Sequence, residues 1–248
     1  MVTLKCLTVV TLATGKGGAG KSTLTRGLAG YWLKKGLAPA IIDADPEARI
    51  ARRYRKDGPM AAVPVQKIAD HTKIADAVGT LQDKHRPILI DTAGFQNKTQ
   101  VMACLAADMV LIPLRPAPDD VDDALAMLDL IDELSMLPER EGRPILARLV
   151  MTMVRPTTII ARSVRRELER AELPVLTAAL RERVSFVEAA INGLSPAISE
   201  PGGAAANDLH RIALEIEQIA EEAHVQAAWS YSGQKTGWGC EGRNPKAT

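Results

Sequence analysis

Cysteine is scarce in this chain of 248 residues, which contains only Cys6, Cys104 and Cys240. Because they are odd in number, far apart and not part of a C-x-x-C pair, neither a disulfide framework nor a zinc site is expected. This cysteine usage favours a reducing cytoplasm. The sequence also has no run of about 18 apolar residues, so no membrane-spanning helix is predicted, and its first residues do not show a signal-peptide pattern.

Aromatic residues and net charge are also low. Aromatic residues make up 3% of the chain, which argues against proteins that bind RNA by stacking bases on exposed rings. The formal net charge is +1, so a globally basic nucleic-acid coat is excluded and any such binding requires a local patch. What the sequence does contain, 46% apolar and 25% charged residues, is typical of a globular protein.

Short apolar segments alternate with helical patterns along most of the sequence. The segments predicted as strands are 7–12, 38–43, 63–65, 87–91, 109–114, 145–154 and 175–180. The segments predicted as helices are 21–35, 74–81, 98–107, 119–136, 158–171, 186–192 and 209–223. This alternation predicts an α/β fold with a doubly wound, mostly parallel sheet and helices on both faces. Residues 1–226 form the predicted domain, and residues 227–248 are predicted to be a flexible tail.

Residues 15–22, GKGGAGKS, fit the phosphate-loop pattern G-x-x-x-x-G-K-[ST]. They follow a predicted strand and open a predicted helix, which is the context this motif requires. Backbone N–H groups of such a loop converge on phosphates, and the helix N-terminus adds its positive dipole end. Lys21 is expected to reach the β- and γ-phosphates, and the Ser22 hydroxyl to hold Mg²⁺. The predicted nucleotide-binding residues are Gly15, Lys16, Gly17, Gly18, Ala19, Gly20, Lys21, Ser22 and Thr23.

Carboxylates follow two of the predicted strands. Asp43 and Asp45 lie at the end of the segment IIDADP, and Asp91 ends the segment ILID. Ligands of open α/β sheets bind at the carboxyl ends of the strands, and side-chain alternation directs Asp43 and Asp45 to the same side. A hydrophobic strand that ends in aspartate is typical of a Walker B segment, which predicts a place for Asp91 beside Mg²⁺.

The nucleotide base is predicted to be adenine rather than guanine. Residues 91–94, DTAG, also match the D-x-x-G element of GTPases. A GTPase would further need N-K-x-D to bind guanine, but the Asn-Lys pair at 97–98 is followed by Thr-Gln and lies too early in the chain. ATP with Mg²⁺ is therefore the predicted cofactor.

Residues 16–23, KGGAGKST, resemble the deviant Walker A motif KGG-x-GK-[ST]-[ST] of the ParA/MinD ATPases. The resemblance implies that Lys16 crosses a nucleotide-sandwich homodimer and touches the phosphates bound by the other subunit. It also implies that Asp43 reaches a water on Mg²⁺ and that Asp45 orients the attacking water. The catalytic residues implied are Lys16, Lys21 and Asp45, and the metal-site residues are Ser22, Asp43 and Asp91.

Two later segments extend the resemblance to roughly residues 5–225. Residues 112–119, IPLRPAPD, are similar to an I-P-x-x-P-x-x-x-D stretch of the family, with looser spacing. Residues 183–189, RVSFVEA, followed by Gly193, are similar to the R-x-x-[FY]-x-E-A-x-x-x-G pattern of small ParA proteins. By the same analogy the adenine pocket is expected near Met153, Arg155 and Pro201.

Arginines are concentrated on the predicted helix 158–171. Its predicted buried stripe consists of Ile160, Val164, Leu168 and Ala171. At 100° per residue Arg162 and Arg166 face away from this stripe, with Arg165 on its flank. Such a face can bind DNA phosphates without reading bases, together with Arg52 and Arg53. A solvated helix face is the alternative that the residues leave open.

The resemblance to the ParA branch implies an ATPase switch that dimerises with ATP and binds DNA non-specifically. It would partition or position a plasmid or other cargo, with slow hydrolysis stimulated by a ParB-like adaptor, in the cytoplasm and on the nucleoid. Positioning of a protein complex without direct DNA binding, such as a chemoreceptor cluster or a DNA-transfer complex, stays open. A MinD-like membrane association is disfavoured, because the helix 209–223 carries several glutamates on its polar side.

Overall fold

The computed structural model describes residues 7–94 and 97–235, with side chains to residue 226. The strands are β1 (Val9–Leu12), β2 (Ala40–Asp43), β3 (Val65–Lys67), β4 (Ile88–Asp91), β5 (Met109–Leu114) and β6 (Leu146–Met151). The helices are α1 (Lys21–Lys34), α2 (Ile74–Gln82), α3 (Lys98–Leu105), α4 (Pro118–Ser135), α5 (Ile159–Arg170), α6 (Val184–Ile191), α7 (Pro196–Ser199) and α8 (Ala204–Lys235). Short 3₁₀ turns occupy Ala51–Arg53, His71–Lys73 and Pro138–Arg140.

The six strands form one sheet in the order β3-β2-β4-β1-β5-β6, and every neighbouring pair is parallel. Alternate residues of β1 enter different cores, as the pleat requires: Val10 and Leu12 pack with α1 and α8, whereas Val9 packs on the other face. That other face is covered by α2, α3, α4 and α5. The predicted doubly wound parallel sheet with helices on both faces is confirmed.

Strand register sets the geometry of one edge of the sheet. Asp91 at the end of β4 lies opposite Asp43 at the end of β2, and opposite Leu12 at the end of β1. The loop that follows β1 leads directly into α1. The carboxyl ends of three adjacent strands therefore converge on this loop, which is the ligand edge expected of an open parallel sheet.

The predicted strand 175–180 was wrong. This segment makes only isolated bridges, between Leu149 and Val175 and between Val154 and Arg181. The physical reason lies in α8, because the Glu215 carboxylate accepts hydrogen bonds from the backbone N–H groups of Thr177 (2.7 Å) and Ala178 (2.9 Å). A side chain distant in sequence thus replaces the pairing that a seventh strand would need.

Helix α8 runs past residue 226, where the predicted domain ends. Helix α8 continues to Lys235, so residues 227–235 of the predicted flexible tail are helical. No proline interrupts the sequence between 202 and 244, so the chain carries no strong helix breaker at this point. Residues 236–248 of the predicted tail lie outside the described residues.

Among the helices that the structure describes, none combines the length and the apolar composition that a membrane-spanning helix needs.

Candidate nucleotide-binding site

The glycine loop between β1 and α1 has the conformation of a phosphate cradle. Gly18 (φ 85°) and Gly20 (φ 94°) lie in the left-handed region, where a side chain would be strained. Gly94 approaches the loop so closely that a Cβ there would stand 2.4 Å from the Gly17 nitrogen. On the other side, the Thr152 hydroxyl donates to the Ala19 carbonyl at 2.8 Å. The loop is therefore fixed from β4 and β6 as well as from its own ends.

Lys21 is 7% exposed and lies over this loop. Its ammonium donates to the Thr14 hydroxyl at 2.7 Å and to the Lys16 carbonyl at 3.1 Å. Burial lowers the pKa of Lys21, against the opposing attraction of Asp91. A buried ammonium held by neutral oxygens gains strongly from an anion, so its position fits the predicted role of binding phosphates.

Asp91, at the end of β4, connects helix α1 to the sheet. Its carboxylate accepts hydrogen bonds from the hydroxyls of Ser22 (2.6 Å) and Thr25 (3.2 Å). The side chain is fully buried, and this burial raises its pKa to about 7, with the nearby Asp43 carboxylate adding to the shift. Ser22 and Asp91, both expected beside Mg²⁺, thus lie within hydrogen-bond distance of each other.

Asp43 is fully buried beside Asp91. One oxygen accepts from the backbone N–H groups of Ile50 (3.0 Å) and Ala51 (2.8 Å), which fixes the turn after β2. The other oxygen has no hydrogen-bond partner among the described residues. An unpartnered buried carboxylate oxygen near Ser22 and Asp91 fits a water on Mg²⁺, a cation that binds to few carboxylates and retains waters. The described part of the chain contains no group of three or more His, Cys, Asp or Glu residues that could hold a metal ion.

A cavity of about 550 Å³ opens beside the loop and contains part of the predicted site. Lys21, Ser22 and Asp45 line it, whereas Asp43 and Asp91 lie behind its wall. Asp45 is half-buried, and its carboxylate accepts from the Glu47 N–H at 2.9 Å. Of the two carboxylates after β2, only Asp45 faces the cavity, which suits it to orient a water there.

Lys16 does not line this cavity. Its ammonium lies 2.9 Å from the Asp123 carboxylate and donates to the Asp119 carbonyl at 3.2 Å, both on α4. The close contact with the Asp123 carboxylate raises the pKa of the lysine. The structure therefore brings Lys21, Ser22 and Asp45 together and holds Lys16 on its own subunit's α4, outside the cavity.

Sequence reasoning missed several residues that complete the cavity. They are basic or apolar side chains: Arg26, Arg49, Arg53, Val187 and Ile191. Of the three positions expected near adenine, Met153 lines this cavity. Arg155 instead forms an ion pair with Glu182, and Pro201 lines a different cavity beside Tyr31. Arg155 and Pro201 therefore do not line this cavity, and their expected place near adenine stays a prediction.

The predicted arginine face is partly rearranged. The buried residues of α5 are Ala161, Val164 and Leu168, whereas Ile160 is 47% exposed and Ala171 is exposed. A separate cleft of about 220 Å³ is lined by four arginines from three segments. They are Arg162, Arg165, Arg181 and Arg211. Arg166 lies on α5 but does not line this cleft.

In metal-free protein, the burial of Asp91 is expected to make the free energy of unfolding depend on pH. The folded pKa of Asp91, about 7, lies above the ordinary value, so the folded state keeps a proton that the unfolded chain loses. The free energy of unfolding should therefore fall as pH rises from about 4 to 7. Asp91→Asn should flatten this slope and stabilise the nucleotide-free protein at pH 8, by up to about 4 kcal/mol. Urea unfolding in chelator at pH 5 and pH 8 measures this, with the exposed Asp83→Asn as control. Equal slopes in Asp91→Asn and wild type would contradict it.

A parallel sheet, a glycine loop before α1, a loop lysine, and a hydroxyl bound to a strand-end carboxylate together define a P-loop nucleotide-binding protein. Residues 10–197 match the family described as the CobQ/CobB/MinD/ParA nucleotide binding domain. The chain belongs to this family, and the resemblance to ParA/MinD proteins is confirmed.

Individual relatives agree with this assignment. The chain is 26% identical over 212 residues to "Maintenance of carboxysome distribution protein A" of Halothiobacillus neapolitanus, covering 83% of this chain and 94% of the relative. It is 30% identical over 154 residues to "Protein ParA" of Rhizobium radiobacter, covering 60% and 65%. A solved putative plasmid partition protein from Borrelia burgdorferi, bound to AMPPNP, is similar with a TM-score of 0.65 and 17% identity, covering 87% and 100%.

Proposed function

We propose that this chain is an ATP-dependent switch that dimerises with ATP, hydrolyses it slowly and positions a cargo. ATP and Mg²⁺ are its cofactors, and the Borrelia relative bound to AMPPNP supports this assignment. The observation that carries the proposal is one cavity in which Lys21, Ser22 and Asp45 meet beneath the phosphate loop. Mg²⁺ would neutralise phosphate charge, and Ser22, Asp43 and Asp91 supply oxygens that fit it.

Hydrolysis in this site depends on positioning. Lys21 and the loop N–H groups hold the phosphate chain, and Asp45 holds the attacking water in line from the cavity wall. Asp45 is only half-buried, and its carboxylate is suited to orient a water at the cavity wall rather than to remove a proton from it. Hydrolysis is therefore slow unless a partner, a ParB-like adaptor, completes the arrangement.

The arginine-lined cleft supports DNA binding as the means of localisation, which would place the protein in the cytoplasm on the nucleoid. Among its lining residues the one acid, Asp208, is already bonded to Arg183 at 2.8 Å. Arg162 and Arg211 make no ion pair with any side chain that the structure describes, in 7–94 and 97–226, so their charge is available to a phosphodiester backbone. Two such clefts in an ATP dimer would sum their phosphate contacts and make binding depend on ATP.

DNA binding by the ATP dimer is expected to weaken in Arg162→Ala/Arg211→Ala, equally for all sequences. Removal of each arginine that binds a phosphate should lower the slope of log affinity against log salt by roughly 0.9. Arg166→Ala is the matched control, because Arg166 lies on α5 outside the cleft. Fluorescence anisotropy over a salt series, with a non-hydrolysable ATP analogue and with ADP, measures this.

Two results would contradict that expectation. An unchanged slope in the double variant would show that these arginines are only a solvated surface. A loss of affinity in Arg166→Ala equal to that of the double variant would assign binding to the α5 face instead of the cleft.

A second candidate cargo is a protein complex rather than a plasmid. It is favoured by the similarity to the Halothiobacillus protein named for maintenance of carboxysome distribution, over 94% of that relative. Wild-type protein without ATP-dependent DNA binding at low salt would favour a protein-scaffold role of this kind. Fluorescence microscopy of the tagged chain, with the Arg162→Ala/Arg211→Ala variant beside it, separates nucleoid localisation from foci on another cargo.

A further inference from the structure

Arg26 is a buried arginine in the wall of the nucleotide cavity. It lies on α1, four residues after Ser22, so it stands on the same helix face about 6 Å further along the axis. It is 6% exposed and lines the cavity. It makes no hydrogen bond or ion pair with any residue whose side chain the structure describes, in the ranges 7–94 and 97–226.

Another buried guanidinium of this chain, that of Arg140, does have hydrogen-bond acceptors. Arg140 is 9% exposed, and it donates to the carbonyls of Leu105 (2.8 Å) and Arg143 (3.1 Å). Arg26 has no such acceptors among the described residues, and its burial lowers its pKa although arginine remains charged in proteins. A buried, unpaired charge is costly, so a missing anion is the simplest complement.

The surroundings of Arg26 are positive on the cavity side. Behind the cavity wall the Asp91 carboxylate attracts Arg26 without a hydrogen bond to it, whereas Arg53, from the 3₁₀ turn after β2, lines the same cavity and repels Arg26. Arg49 also lines the cavity, but Glu47 neutralises it at 2.8 Å. The phosphate loop lies at the N-terminal end of α1, whereas Arg26 is one helical turn away. The positive charge at Arg26 and Arg53 is thus additional to that of the loop and Lys21.

We propose that Arg26, assisted by Arg53, forms an oxyanion subsite of the nucleotide cavity that binds one phosphate group. The planar guanidinium offers paired N–H donors that match two phosphate oxygens. The phosphate has two possible sources: the chain of the bound nucleotide, or inorganic phosphate released by hydrolysis. The inference rests on nucleotide binding, which the family establishes, and is independent of DNA binding and of the cargo.

The test uses two variants. Arg26→Met has a long side chain without the charge, and Arg26→Lys keeps the charge without the paired N–H donors of the guanidinium. Arg52→Met is the matched control, since Arg52 is an exposed neighbour of Arg53 that does not line the cavity. Isothermal titration calorimetry gives affinities for ADP and for a non-hydrolysable ATP analogue, and then for inorganic phosphate added to ADP-saturated protein.

Two results support the subsite and identify the source. If the nucleotide supplies the phosphate, Arg26→Met lowers the affinity for ADP or for the analogue roughly tenfold to a hundredfold. If released phosphate occupies the subsite, nucleotide affinities stay unchanged and binding of inorganic phosphate to the ADP-loaded protein weakens by the same factor. Arg26→Lys should lie between Arg26→Met and wild type, and Arg52→Met should match wild type.

Nucleotide and phosphate affinities of Arg26→Met equal to those of wild type would overturn the proposal. Thermal unfolding without nucleotide checks the fold, and Arg26→Met should melt no lower than wild type because it removes an uncompensated buried charge. If Arg26→Met does not fold, Arg26→Lys carries the test alone. Its affinity for at least one of the three ligands should then fall measurably below that of Arg52→Met, and equality with that control for all three ligands would overturn the proposal.

Discussion

Asp45→Ala is expected to bind ATP with nearly wild-type affinity and to hydrolyse it roughly a hundredfold more slowly. Asp45 is the strand-end carboxylate that faces the cavity, while Asp43 and Asp91 lie behind the wall beside Ser22. Its removal therefore leaves the loop, the lysine and the metal-binding oxygens in place. Only the group that positions water is lost, so the effect falls on turnover and not on binding.

Single-turnover hydrolysis and nucleotide titration separate these two quantities. Glu47→Ala is the matched control, because Glu47 is the neighbouring acid in the same cavity and is paired with Arg49. Lys21→Ala provides the opposite pattern: it removes the buried ammonium over the loop, so ATP binding itself should fail. Unaltered turnover in Asp45→Ala would remove this residue from the mechanism.

Much of the site could be predicted from sequence because its determinants are local. The phosphate loop follows β1 directly, and its glycines, Lys21 and Ser22 lie within one short segment. Asp43 and Asp91 are far apart in sequence, but each ends an apolar strand. Parallel register then places strand ends side by side, and Asp43 lies opposite Asp91 in the sheet.

The missed features depend on contacts between distant segments. Arg26 occupies a helix position that sequence periodicity does not distinguish from a solvated one, and its burial is seen only in the folded chain. The arginine cleft joins Arg162 of α5 to Arg211 of α8 and to Arg181 between them. The prediction of a strand at 175–180 was wrong for the same reason, a contact with a distant segment. The Glu215 carboxylate of α8 accepts hydrogen bonds from two backbone N–H groups of this segment.

Lys16→Ala is expected to abolish ATP-dependent dimerisation while preserving nucleotide binding. In the described chain Lys16 does not line its own subunit's cavity, so it contributes little to binding there. The family resemblance assigns this lysine to the phosphates of the opposite subunit. Light scattering with a non-hydrolysable ATP analogue should show mass doubling in wild type and none in the variant. A Lys16→Ala protein that dimerises like wild type would contradict the sandwich arrangement.

The contact between Lys16 and Asp123 predicts a second, smaller effect on ATP-dependent dimerisation. To reach another subunit, Lys16 must leave the Asp123 carboxylate 2.9 Å away and the Asp119 carbonyl 3.2 Å away. Both partners of the ion pair are substantially exposed, at 44% and 30%, so solvent screens the pair. Asp123→Asn should therefore tighten the ATP dimer only about two- to fivefold. Asp122→Asn, which alters the adjacent residue of α4, is the control. Weaker dimerisation in Asp123→Asn would mean that Asp123 aids the dimer, because a contact that only restrains Lys16 in the monomer can oppose association but cannot promote it.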